Sequence, residues 1–117
     1  MSLRVMIIDG QAEFRSLLMH HVTTIWNDAI ISAYDPVAAG HLPDEFSGAG
    51  NDLVLVGSEQ GDRDPLDTLR AFRCVQGFPP IVYFGKGSSD ERQEARRLGI
   101  DGYFARDKVR NAALSVR

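Results

Sequence analysis

Short apolar runs recur along this chain, each followed by a polar or glycine-rich stretch and then by apolar residues at helical spacing. Leu3-Arg4-Val5-Met6-Ile7-Ile8-Asp9 reads as a buried strand. In the segment from Ala12 to Trp26, Phe14, Leu17, Leu18, Val22 and Ile25 fall three or four residues apart, which predicts an amphipathic helix. Ala29 to Tyr34 reads as a second strand. Asp35-Pro36 then supplies an N-cap with proline at the first helical position. Gly40 and Pro43 keep that helix short, and Ser47-Gly48-Ala49-Gly50-Asn51 is turn material.

The second half repeats the scheme. Asp52 to Val56 is a third strand, followed by the polar loop from Gly57 to Arg63. Asp64-Pro65 opens a helix through Leu66, Leu69 and Phe72 towards Val75, and Gly77-Phe78-Pro79-Pro80 breaks it. Ile81 to Phe84 is a fourth strand, Asp90 to Leu98 a polar helix ending at Gly99, and Gly102 to Ala105 a short fifth strand before a helix from about Lys108. Strand and helix alternate five times, which predicts a five-stranded parallel sheet flanked by helices on both faces, an α/β fold.

Open parallel sheets place ligands and catalytic side chains at the carboxyl ends of their strands. Here three such ends carry Gly10, Gly57 and Gly85. Glycine brings no side chain, so a site there is absent or works through backbone groups.

Composition narrows the class. At 117 residues, 44% hydrophobic and 25% charged, the chain is one domain able to bury a core without metal or disulfides. The single cysteine, Cys74, excludes an internal disulfide framework, fits a reducing, cytoplasmic setting, and is expected in the core or half-buried. No apolar run approaches the roughly 20 residues that span a bilayer, and the apolar stretch after Arg4, which soon meets Asp9, is too short to be expected to act as a signal peptide. The net charge of −3 is uneven: five basic and eleven acidic residues through Phe84, eight basic and five acidic from Gly85. No aromatics interleave with the basic residues, which argues against a nucleic-acid groove. The Met1-Ser2-Leu3 start and the ending at Arg117 suggest a domain cut from a longer protein.

The whole chain resembles the receiver domains of bacterial two-component response regulators. RVMIIDG-QAEFR is similar to the family's first strand, acidic pair and helix start. NDLVLVGSEQGDRDPLDTLRAFR aligns without a gap to the third strand, phosphorylation loop and third helix, and LGIDGYFARD to the last turn and fifth strand. One residue is missing between Phe84 and Gly99. The resemblance implies a flavodoxin-like (βα)5 fold.

It also implies a site of two adjacent acids, a phospho-accepting aspartate, a hydroxyl residue and a lysine. Carboxylates hold Mg²⁺, a hard cation that takes oxygen ligands. The acceptor aspartate is the nucleophile, and hydroxyl and lysine stabilise the phosphoryl charge. Carried over residue by residue, this chain keeps only the first acid, Asp9. The second acid is Gly10, the acceptor Gly57, the hydroxyl residue Gly85 and the lysine Arg106. Tyr103 stands at the family's switch aromatic. The resemblance therefore implies a degenerate receiver: no catalysis, Mg²⁺ binding lost, and regulation through protein contacts.

Several local features compete with that reading. Ser58, Glu59, Asp62 and Asp64 lie near the lost acceptor, but strand alternation turns Ser58 to the side opposite Gly57, and Asp64 reads as a helix cap. The backbone carbonyl of Glu59 points inward if the loop is family-like. Gly85-Lys86-Gly87-Ser88-Ser89 before a helix offers backbone N–H groups to an anion, without P-loop spacing. His20 and His21 are adjacent on one helix and diverge, one to the surface and one half-buried. An unrelated nucleotide or flavin protein is disfavoured by the first loop, Gly10-Gln11-Ala12-Glu13, which lacks phosphate-binding hydroxyls.

Two expectations follow for the pocket. Arg106 reaches Asp9 and neutralises it, and Tyr103 packs in one fixed rotamer beside Gly85. The favoured function is a non-catalytic interaction module that docks a protein partner or a second copy through the fourth helix, fifth strand and fifth helix, or through the first helix, with an output domain beyond Arg117. The polar fourth helix points to a modest, charge-guided contact. The alternative is a domain that still binds Mg²⁺ or an anion, or joins a phosphorelay through other residues.

Overall fold

The computed structural model describes residues 2–115; Met1 and Arg117, which carried the expectation about the chain's ends, lie outside them. Five strands, β1 (Arg4–Ile8), β2 (Ile30–Tyr34), β3 (Leu53–Gly57), β4 (Ile81–Gly85) and β5 (Gly102–Ala105), form one parallel sheet in the order β2-β1-β3-β4-β5. Between and after them run α1 (Ala12–Ile25), α2 (Pro36–Ala39), α3 (Pro65–Arg73), α4 (Ser89–Arg97) and α5 (Arg106–Ser115). This is the flavodoxin-like (βα)5 architecture.

Alternation along the strands divides the core in two. Val5, Ile7, Leu55 and Phe84 pack on one face with Phe14, Leu18 and Val22 of α1. Ile8, Val54, Val56, Ile81 and Tyr83 pack on the other with Leu69 and Phe72 of α3 and Ala95 of α4. The same parity, carried to the last residues of β3 and β4, sends position 57 towards α1 and position 85 towards α4.

Caps fix where two helices start. The Asp35 side chain accepts from the N–H groups of Val37 and Ala38, and Asp64 from Leu66 N–H at 2.9 Å, each followed by proline. At β5 the expected boundary moves. The helix begins at Arg106 rather than near Lys108, with no intervening loop, which anchors Arg106 at the sheet's edge. α3 stops at Arg73, short of Val75, and α4 starts at Ser89 behind its N-cap Ser88.

Two side chains lie elsewhere than expected. Cys74 is exposed, because it caps α3 about 140° around the helix from Leu69. Ile25, assigned to the apolar face of α1, is 68% exposed at the helix's last residue.

Candidate functional site

Asp9 follows β1 directly and is completely buried. A buried carboxylate is tolerated only when paired and hydrogen-bonded. Arg106 supplies the pair through a two-pronged contact: Nη1 donates to Asp9 Oδ2 at 2.7 Å and Nη2 to Oδ1 at 2.9 Å. Two such bonds in one plane are the geometry that a guanidinium offers a carboxylate and an ammonium does not. The backbone N–H of Gln11 donates to Oδ1 at 2.8 Å, and that of Glu59 to Oδ2 at 3.3 Å.

The arginine is fixed as firmly as the acid. Its Nη2 also donates to Gln11 Oε1 at 2.6 Å, and its Cζ lies 3.9 Å from the centroid of the Phe14 ring, a cation–π stack. Gln60, 2% exposed, donates to the carbonyls of Gly57 and Ile8 and ties the ends of β1 and β3 together. Neither glutamine was singled out in the sequence.

Gly57 sits against this ion pair. A Cβ there would overlap Asp9 Oδ2 and lie 2.7 Å from Asp9 Cγ and 3.0 Å from Arg106 Nη1. The volume open to a side chain at position 57 is thus filled by Asp9 and Arg106. At Gly10 a Cβ would meet the Val37 Cγ2 methyl at 2.6 Å and the Glu59 carbonyl at 3.1 Å. That carbonyl does point inward, where it accepts the Gly10 N–H at 2.7 Å.

Gly85 is filled from the other side of the sheet. A Cβ there would overlap Glu91 Oε1 and lie 2.8 Å from both Glu91 Cδ and Tyr103 Cε2. Glu91 belongs to the first turn of α4 and accepts three hydrogen bonds, from Lys86 N–H, the Tyr103 hydroxyl and the Tyr83 hydroxyl, each at 2.7 Å. The Tyr103 hydroxyl accepts in turn from Gly87 N–H at 2.9 Å, in a loop that Gly87 turns with φ of 96°. Burial and the Glu91 hydrogen bond push the Tyr103 phenol up to about 12 and that of Tyr83 further in the same direction, for the same two reasons.

Sequence reasoning placed Tyr103 here and missed Glu91 and Tyr83. The available signal was Ser88-Ser89-Asp90-Glu91, a capping-box pattern. Only half of the box forms: Ser88 Oγ accepts from Glu91 N–H at 3.1 Å, while the Glu91 carboxylate turns to Lys86 and the tyrosines.

Ser58 corrects another expectation. It is buried, and its Oγ accepts a long hydrogen bond of 3.4 Å from Arg106 Nη1, so it shares the pocket rather than facing away. β3 ends at Gly57, and strand alternation does not extend past it. The neighbouring loop acids point elsewhere: Asp64 caps α3, and the almost fully exposed Asp62 meets His41 at 3.1 Å.

The donor set does not fit a resident Mg²⁺. A hard cation takes several free oxygens, and here both oxygens of the one carboxylate face a guanidinium while the inward carbonyl binds an N–H. Among the described residues no three His, Cys, Asp or Glu side chains cluster as a metal site. The glycine-rich loop before α4 directs its Lys86 N–H at the chain's own carboxylate. His20 and His21 have ring centroids 6.1 Å apart, one exposed and one half-buried.

No family model and no curated protein matches this chain. Solved structures do. The chain is similar to a response regulator receiver protein from Pseudomonas putida, with a TM-score of 0.73 and 15% identity over 92% of this chain and 88% of that one. It is similar to the chemotaxis protein CheY4 of Vibrio cholerae, with a TM-score of 0.67 and 15% identity over 98% of each chain. The response regulator DrrB of Thermotoga maritima, an OmpR/PhoB homolog, matches with a TM-score of 0.66 and 10% identity over 90% of this chain, which spans only 46% of DrrB. At such identities the likeness establishes the fold. The class is that of flavodoxin-like (βα)5 proteins. Within it, the fold is the one seen in response regulator receiver domains.

Proposed function

We propose that this chain is a non-catalytic receiver-type domain of a two-component signalling protein, regulating through protein contacts without being phosphorylated. The observation that carries the reading is the Asp9–Arg106 pair, packed into the volume beside Gly57 where an acceptor side chain would project. A glycine has no group to accept a phosphoryl, and the neighbouring carboxylate is neutralised by a guanidinium rather than poised on a metal. Mg²⁺ binding is accordingly lost.

The contact surface is the face of α4, β5 and α5. There Phe104 is 54% exposed between Arg92 and Lys108 on the flanking helices, an aromatic centre with a basic rim. This surface suits a protein partner or a second copy rather than nucleic acid. Among the described residues no helix is long and apolar enough to cross a membrane. The reading places the domain in the cytoplasm, joined to an output segment, as DrrB extends well beyond the matched part.

The test is incubation with Mg²⁺ and a small phosphoryl donor such as acetyl phosphate, followed by intact-mass measurement. The proposal expects no adduct. A phosphoryl adduct on any residue of the pocket overturns it.

A further inference from the structure

We infer that Glu91 is a carboxylate latch that sets the shape of the α4–β5 surface, in place of any ligand-driven device. The inference deepens the proposed function and rests on it for the meaning of that surface, though not for the latch itself.

Four pieces of chain meet at this one side chain. Its Oε1 takes the Lys86 N–H from the loop after β4 and the hydroxyl of Tyr103 from β5, and its Oε2 takes the hydroxyl of Tyr83 from β4. The carboxylate itself is carried by α4. Each bond has an ionised acceptor, the stronger kind of hydrogen bond. The Tyr103 hydroxyl passes the connection on by accepting Gly87 N–H, so both loop amides end on the Glu91–Tyr103 unit.

The latch exists because position 85 has no side chain. Any Cβ there would overlap the Glu91 carboxylate and press on the Tyr103 ring. Glycine at 85 and glutamate at 91 are therefore two halves of one arrangement. The outer face of Tyr103 is covered by Arg92, whose Cζ lies 4.8 Å from the ring centroid, and its inner edge packs edge-to-face on Tyr83 at 5.7 Å. Fixing Tyr103 thus fixes Arg92 above it and the approach to Phe104 and Lys108 beside it.

A carboxylate in the first turn of a helix also favours the helix dipole, and any acid there would serve that role. Glu91→Asp separates the two. It keeps the charge but shortens the side chain by one methylene, so the three bonds cannot be made together. We compare amide hydrogen exchange and the Tyr103 ring resonances in the wild type, Glu91→Asp and Glu91→Ala. The latch predicts that Lys86 and Gly87 exchange about tenfold faster or more in both variants, with Tyr103 ring shifts moving and Val5 and Ile7 unchanged. Protection of Lys86 and Gly87 retained in folded Glu91→Asp would overturn the latch and leave a dipole role only. Should Glu91→Ala fail to fold, Glu91→Asp carries the test alone. The samples contain neither Mg²⁺ nor phosphoryl donor, so failure here leaves the phosphorylation reading standing, and the reverse also holds.

Discussion

The carboxylate of Asp9 occupies the volume into which a side chain at position 57 would project. Asp9 and Gly57 are therefore not independent: the acid can be buried and paired with Arg106 because its neighbour on the next strand has no Cβ. Restoring an aspartate by Gly57→Asp should not restore an acceptor. It should destabilise the domain by roughly 1–3 kcal/mol or more through overpacking, read as a lower urea midpoint. An unchanged midpoint would contradict the shared volume.

Gly10 behaves differently. The atoms crowding it are a methyl of Val37, a residue 60% exposed, and the Glu59 carbonyl at 3.1 Å. Gly10→Asp displaces an exposed methyl rather than a buried ion pair and should cost less than Gly57→Asp in the same measurement, about 1 kcal/mol.

The ion pair itself can be tested by removing one partner or both. Asp9→Ala strands the Arg106 guanidinium among buried groups and should cost about 3–5 kcal/mol. Replacing both with apolar residues of similar volume, Asp9→Leu with Arg106→Leu, should recover most of that loss. A double change as damaging as the sum of the singles would contradict the coupling.

High pH should loosen the fold at Tyr103. Its phenol is raised from 10.0 to about 12, chiefly by burial and then by the bond to Glu91. An unfolded chain loses this proton near 10 while the folded chain retains it. Unfolding therefore releases a proton in that window, and stability present below pH 10 declines as pH rises towards 12. Tyr103→Phe should lose less stability than the wild type between about pH 9 and 11, by urea denaturation at each pH.

The fold was legible because its signals are local and mutually consistent. Apolar runs of strand length, Asp-Pro helix starts at 35 and 64, and glycine breaks all agree with one topology. Asp9 and Arg106 were legible as candidates through the resemblance to receiver domains, which aligns them with that family's first acid and its lysine. Glu91 was not, since an acid in a first helical turn is commonplace and its role depends on the space left at Gly85, a relation between distant positions. Ser58 and Cys74 were misplaced where a periodicity was carried one or two residues past the end of its element.

The central claim, that the pocket is closed by its own side chains, meets its most direct test in an NMR amide titration with Mg²⁺, then with Mg²⁺ and beryllofluoride as a phosphoryl mimic. The account predicts no shifts at Asp9, Gly57, Gly85 or Arg106. Saturable shifts at those four residues would contradict it.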